Sequence, residues 1–389
     1  MINVKELMKK NAMLIALVVI MILFQALIVS ADKGSLFAPT NMTNLISQNS
    51  YVVILATGML LCIITGGNID LSVGSVVALI GAIAGTLIVN MGMGIGPSIV
   101  ICLFTGILIG AWQGYWIAYV RIPAFIVTLA GMLMFRGIAL IILQGVTISP
   151  FPKEYTNLFN SFIPGTGSAN TAIISLAIAI SVCIAFAGIQ VWTRVHKKSK
   201  GYAVEPIAFM VTKIAIISAV ILAIFWLLGQ DKGVPVVLIL LAVVVMSYYY
   251  FTSKTVPGRR LYAMGGNEKA AKLSGINTNR MLFAAYVNMG FLAALAALVC
   301  VARFNSATPS AGTNYELDAI GACFIGGASA YGGVGTVGGA VIGAIFMGVL
   351  NNGMSILGID ANWQRAVKGL VLLLAVIFDI LSKKRKQTA

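Results

Sequence analysis

The sequence predicts an all-α polytopic integral membrane protein, a single domain over 1–389 with about 10–12 transmembrane helices and some broken or re-entrant segments. Three observations predict it. Of the 389 residues, 59% are apolar and only 10% charged, against roughly 25% charged in an ordinary soluble domain. Apolar runs of about 20 residues, the length that crosses a bilayer core ~30 Å thick, recur along the whole chain. The cations collect in alternate connections between those runs. Mean hydropathy of +0.98 agrees.

The spans follow in order. The first begins near Ala12, behind the basic residues Lys5, Lys9 and Lys10. Its run is longer than the 7–15 residues of a signal-peptide core and no A-x-A-like site follows, so it reads as a retained helix. Further spans begin near Leu45, Ser72, Pro97, Pro123, Thr171, Ile207, Val234, Met281, Gly335 and Trp363. The apolar stretch 318–331 is too short to cross comfortably and reads as a short, tilted or re-entrant helix, which lipid tolerates only where protein covers its ends. Counting it gives twelve crossings and places both termini on one side.

The positive-inside rule assigns that side to the cytoplasm. It carries Arg121, Arg194, Lys197, Lys198, Lys200, Lys254, Arg259, Arg260, Lys269, Lys272 and Arg280 besides the two basic ends, 18 of the 26 Lys and Arg in all. The opposite loops hold Lys33, Lys153, Lys232 and Arg303 beside acidic residues. The net charge of +15 is therefore an orientation signal, and a nucleic-acid partner is not implied. Two connections are longer than a helix turn needs. The outer one, 145–170, is rich in Pro, Gly, Ser, Thr and Asn and fits a surface loop or short surface helix. The inner one, 253–280, has helix formers between Asn267 and Leu273 followed by Gly275, which predicts a surface helix of about two turns.

Several chemistries are excluded. The five cysteines lie in or beside apolar runs without a CxxC pair, so neither a disulfide framework nor a metal cluster is expected. His196 is the only histidine, and no carboxylate pair is set for acid–base work. An enzyme is not indicated. No GxxxxGK[ST] sequence occurs, so binding and hydrolysis of ATP by this chain alone are not expected. GVGTVG at 333–338 matches GxGxxG but has no preceding strand, and dinucleotide binding is rejected.

Small residues recur every fourth position at Gly106, Gly110 and Gly114, and again at Gly335, Gly339 and Gly343. Such ridges let helices approach closely, within the chain or across a dimer. GGNIDLSVGS at 66–75 reads as a chain break and helix start, with Asp70 as a cap for the next helix or as a functional ionisable group. The glycine-rich stretch ending in IGAI at 342–345 echoes the IGAI at 80–83 and hints at an internal repeat. Amides within or at the ends of spans include Gln25, Gln48, Asn49, Gln113, Gln144, Asn288, Asn351, Asn352 and Gln364; Trp112, Tyr115, Trp116 and Trp363 lie beside some of them. Amides pair with hydroxyls and rings cover apolar sugar faces, so the set suits an uncharged polyhydroxylated solute or else interhelical hydrogen bonds. Candidate pathway residues are Asn68, Asp70, Ser72, Trp112, Gln113, Asn351 and Asn352.

Four ordered motifs, GGNIDLSVGS at 66–75, IPAFIVTLAGMLMFRGIA at 122–139, GRRLYAMGGNEKAAKLSGIN at 258–277 and YELDAIGACFIGGASAYGGVGTVGGAVIGA at 315–344, resemble the permease subunits of bacterial monosaccharide ABC importers. The group serves ribose, xylose, galactose and multiple sugars. Relative to ribose-type permeases, 197–233 is an added segment, which is more similar to the xylose or multiple-sugar branch. The resemblance implies a type II ABC-importer-like permease fold in the bacterial plasma membrane, moving a monosaccharide inward. It implies a homodimer, a cytoplasmic tandem-cassette ATPase that binds ATP and Mg, and an extracytoplasmic sugar-binding protein, with no cofactor on this chain. It also places an ATPase-coupling helix in 253–280, with Gly266, Asn267, Glu268, Lys269, Ala270, Ala271, Lys272, Gly275 and Ile276 as its residues. Ala270 and Ala271 would allow close docking, and Glu268, Lys269 and Lys272 would pair with charges on the ATPase. The competing class is an ion-coupled secondary transporter or channel working alone, which would draw on Asp70, Arg136, Lys213, Arg365, Lys368 and Asp379.

Overall fold

The computed structural model describes residues 12–165, 170–202 and 204–387, with side chains for 13–381 of those. Lys5, Lys9 and Lys10 lie outside the described residues, as do the side chains of Lys383, Lys384, Arg385 and Lys386. The long helices are α1 (Ala12–Ser30), α2 (Pro39–Ile64), α3 (Val73–Gly85, continued by a π turn Thr86–Asn90), α4 (Ile95–Ala118) and α5 (Ala124–Leu143). After a short helix α6 (Lys153–Asn160) and strand β1 (Phe162–Pro164) come α7 (Thr171–Ser199), α8 (Ile207–Gly229), strand β2 (Gly233–Pro235) and α9 (Val237–Lys254). The chain closes with α10 (Val256–Gly266), α11 (Glu268–Leu273), α12 (Thr278–Phe304), α13 (Tyr315–Ile325), α14 (Val337–Ile356) and α15 (Ala361–Gln387). Ten helices among the described residues are long and apolar enough to cross a membrane, and the 27-residue α15 lies at the expected eleventh position.

Boundaries shift where polarity hides a helix. α2 starts at Pro39, six residues before the expected Leu45, because its first turns carry Asn41, Thr43 and Asn44. α14 starts at Val337 and not at Gly335, since Thr336 caps it, its Oγ1 accepting from Gly339 N at 3.0 Å.

α2 and α12 form the centre. The most apolar window of α2 is 83% buried, against 0% for α8. α4 lies against α12 with almost no side chain between them: a Cβ added at Gly290 would stand 2.1 Å from Gly106 O, and one at Gly110 would stand 2.3 Å from Tyr286 O. The first glycine ridge therefore works within the chain. In the second, Gly339 and Gly343 meet the Gly326 and Ala322 carbonyls at the end of α13, while Gly335 belongs to the preceding loop.

Two crossings are broken, and they meet. α13 has 11 residues, about 16 Å at 1.5 Å per residue, half of what a crossing needs. The polypeptide 305–314 leads into it from the end of α12, and Gly312 touches Gly74 at the start of α3 so closely that a Cβ on Gly312 would lie 1.9 Å from Gly74 O. Tyr315 stacks on Tyr51, midway along α2, with ring centroids 3.8 Å apart. α3 and α13 thus begin side by side inside the bundle and run in opposite directions.

One face gathers several ends. Gly333 N donates to Ile64 O at 3.0 Å, and Gly265 packs on the same carbonyl. Met13 lies against Gly327, and Ala330 N donates to the Asp379 carboxylate at 3.2 Å. Met13 near the start of α1 and Asp379 in α15 therefore share a face with α10 and α11.

Candidate coupling and translocation site

The segment from α10 to α12 is built by successive caps. Thr255 Oγ1 accepts from Gly258 N at 3.2 Å, Asn267 Oδ1 from Ala270 N at 3.0 Å and Asn277 Oδ1 from Arg280 N at 2.9 Å. Each cap satisfies an amide that the first turn of a helix leaves free. α11 is the short helix expected between Asn267 and Leu273, and Gly275 after it takes φ +81°. Tyr262 in α10 donates to Gly335 O at 2.8 Å; burial pushes its hydroxyl above the ordinary value, so it stays a neutral donor.

Arg121, in the turn between α4 and α5, fixes this segment to the bundle. Its guanidinium lies 2.8 Å from the Glu268 carboxylate and also donates to Thr278 Oγ1 and Asn279 Oδ1. Both ends of the Arg121–Glu268 pair are over 40% exposed, so the pair positions α11 and contributes at most ~1 kcal/mol.

The outward surface of α11 differs from the expected one. Ala271 is buried against its own chain at 5% exposure and cannot be a docking contact. Gly266, Lys269, Ala270, Lys272 and Gly275 are exposed, and Ile276 is half-buried. Leu273 is 90% exposed, an apolar side chain presented to whatever lies beyond this face. The sequence held the signal, since residues two apart on a helix point nearly opposite ways and a buried Ala271 turns Leu273 outward.

A cavity of 320 Å³ joins this segment to the first broken crossing: Gly66 and Asn68 line one wall, Arg121 and Pro123 another, and Gly266 and Glu268 a third. Deeper, Asp70 Oδ1 accepts from Ser72 N at 2.8 Å and from Ser72 Oγ at 2.6 Å, and Gln113 Nε2 donates to Ser72 Oγ at 2.6 Å. Asp70 therefore closes an Asx turn before α3, one step short of capping the helix proper. All three side chains are buried. Asn68 stays apart, bonded to Thr65 Oγ1 at 3.3 Å. Trp112 is 40% exposed and meets Phe135 edge-on at 5.9 Å without joining the polar chain.

Asn351 and Asn352 form a second polar group that shares no hydrogen bond with the first. Asn352 and Asn41 exchange two amide bonds at 2.9 and 3.0 Å, tying α14 to α2. Asn351 donates to Asp318 at 3.4 Å. Asp318, 1% exposed, also receives Tyr51 Oη at 2.8 Å and lies 2.9 Å from Lys368 Nζ. This buried ion pair fixes α13 to α15, and its importance was hidden because Asp318 and Lys368 are 50 residues apart. Beside it a groove of 250 Å³ is lined by Gln48, Asn49, Tyr51, Tyr315, Asn351 and Asn352, among others. Gln48 is exposed and makes no hydrogen bond among the described residues. Amides and a stacked tyrosine pair at this depth suit water and a polar solute better than acyl chains.

The ionisable residues that a stand-alone ion-coupled carrier would draw on are mostly engaged in structure. Asp70 holds Ser72, Arg136 donates to the carbonyls of Pro309 and Ala311, Lys368 pairs with Asp318 and Asp379 holds Ala330 N.

A multi-pass helical bundle in which the starts of α3 and α13 meet and a capped helix lies at one face fits a transport permease. The chain belongs to the family described as branched-chain amino acid transport system / permease component, which matches residues 41–162 and 156–376. It is 40% identical over 373 residues to the xylose transport system permease protein XylH of Escherichia coli K12, an alignment covering 96% of this chain and 92% of that one. The XylH of Haemophilus influenzae is 39% identical over 376 residues, 96% of each chain. The ribose import permease protein RbsC of Escherichia coli K12 is 35% identical over 352 residues, 90% of this chain and 89% of the other. No solved structure matches the chain. Higher identity to the xylose proteins than to the ribose protein agrees with the resemblance drawn from 197–233, a segment that includes α8.

Proposed function

We propose that this chain is the permease subunit of an ATP-driven ABC importer that moves a monosaccharide of the xylose type into the cytoplasm. Its relatives named for xylose and ribose transport support the sugar class. The observation that carries the mechanism is the cavity shared by the coupling segment and the first broken crossing, where Glu268 and Asn68 line the same space. ATP and Mg belong to a separate tandem-cassette ATPase on the cytoplasmic face, which is the face of α11, and both termini lie there. The chain pairs with a second copy in the bacterial inner membrane and receives sugar from an extracytoplasmic binding protein.

The geometry gives the motion a route. Arg121 clamps α11 to the turn between α4 and α5 and to the start of α12, and the glycine contacts make α4 and α12 one rigid pair. Displacement of α11 by the ATPase therefore moves that pair as a body, and the breaks at 66–72 and 305–314 take up the change in backbone angles. The groove beside Gln48 and Asn351 holds the sugar in the half of the membrane away from α11.

Charge reversal at Glu268 and Lys272 in the reconstituted importer tests this. ATP hydrolysis is expected to continue at its basal rate while uptake is lost. Normal sugar uptake per ATP in the doubly reversed variant would contradict the assignment of α11.

A further inference from the structure

We propose that the ends of α7 and α8 form a binding site for the phosphate headgroup of an anionic phospholipid. These two helices pack on each other at the margin of the bundle, held to it by the β1–β2 ladder and by the buried end of α8 at Leu228 and Gly229. The rest of the pair is apolar and exposed, as at Ile173, Ile184, Val211 and Val220, a surface suited to lipid. Between the helices, at the far end from the ladder, is a cavity of 150 Å³ lined by polar groups: Gln190, Thr193, Arg194 and Lys197 from α7, Glu205 from the connection and Lys213 from α8.

Residues 190, 193, 194 and 197 fall on one helix face, the i, i+3, i+4, i+7 pattern that elsewhere in a membrane protein carries apolar side chains. Three cations there meet a single carboxylate. Arg194 spends one donor on the Glu205 carbonyl, and Lys213 makes no hydrogen bond or ion pair among the described residues. An unpaired lysine inside a span is costly unless an anion or water reaches it. Lys213 lies about 9 Å along α8 from Ile207 at 1.5 Å per residue, a depth its stem can bridge to the headgroup level.

Depth and chemistry together identify the occupant. α9 carries the chain from β2, beside the opposite ends of these helices, to α10 and α11, so the cavity opens at the face of the coupling segment. Trp192, 68% exposed and stacked on His196 at 5.4 Å, is an interfacial aromatic that marks the headgroup layer. A basic pocket between helices at that level recognises a phosphate diester whose acyl chains lie along the apolar flanks of α7 and α8.

The full chain, purified in detergent and titrated with phosphatidylglycerol, phosphatidylcholine or inorganic phosphate under native mass spectrometry, tests the site. Phosphatidylglycerol is expected to bind at least tenfold more tightly than phosphatidylcholine. The R194Q/K197Q/K213M variant should lose about a hundredfold, at about fivefold per cation, and K200Q, outside the cavity, should lose less than twofold. K213M alone, at an exposed position, tests the site should the triple variant not fold, with an expected loss of about fivefold. Equal binding of phosphatidylcholine, unchanged phosphatidylglycerol binding in K213M, or displacement of the lipid by millimolar inorganic phosphate would overturn the proposal.

Discussion

Leu273 offers a perturbation whose effects on fold and on function separate cleanly. Its side chain is 90% exposed, so Leu273→Ser removes almost no contact within the chain, and its own stability should change by less than about 0.5 kcal/mol. If the ATPase covers α11, the same side chain passes from water into a protein interface. Burying a leucine fully contributes about 1.5–3 kcal/mol. Serine forfeits most of that, and at about 1.4 kcal/mol per factor of ten the docking affinity should fall roughly 10- to 100-fold. The assay is binding of the purified ATPase to the chain held in nanodiscs and, separately, in detergent, with thermal unfolding followed in parallel. Agreement between nanodisc and detergent excludes insertion of Leu273 into lipid as the cause. Affinity within twofold of the parent, at unchanged thermal stability, would refute α11 as the docking element.

Lys368→Met should lower the unfolding temperature markedly, because it takes the cation from the Asp318 carboxylate at 1% exposure, a loss of about 3–5 kcal/mol; combining it with Asp318→Leu should recover part of the loss in the same melting assay. Gly290→Val should cost about 3 kcal/mol or more, since a Cβ there meets Gly106 O at 2.1 Å and forces α4 from α12; a normal melting curve would show that the two helices are not so close. Gln48→Ala should raise the KM of sugar uptake about two- to tenfold through loss of one hydrogen bond, with basal ATP hydrolysis unchanged.

Span positions were legible because crossing a membrane demands an apolar length that few other structures need. The start of α2 was misplaced because Asn41 satisfies its polarity by pairing with Asn352, 311 residues away, a compensation that local hydropathy does not contain. The short α13 was legible as an anomaly, yet its meeting with α3 depends on the contact of Gly312 with Gly74. The caps at Asn267 and Gly275 located α11 because capping is local. Which side of α11 faces outward depends on packing, which buries Ala271 and turns Leu273 out. Of the pathway residues, Asp70, Ser72 and Gln113 come together, whereas Asn351 bonds Asp318 and Asn352 pairs with Asn41. The IGAI echo falls on α3 and α14, each following a glycine pair that ends the preceding helix, and Gly66 and Gly67 pack against residues 330–332.

Accumulation of labelled xylose in proteoliposomes containing this chain, its ATPase and the binding protein, compared with the chain alone under a proton or sodium gradient, tests the central claim most directly. The account predicts ATP-dependent accumulation in the complete system and none from the chain alone under either gradient. Gradient-driven uptake by the chain without ATPase would contradict it.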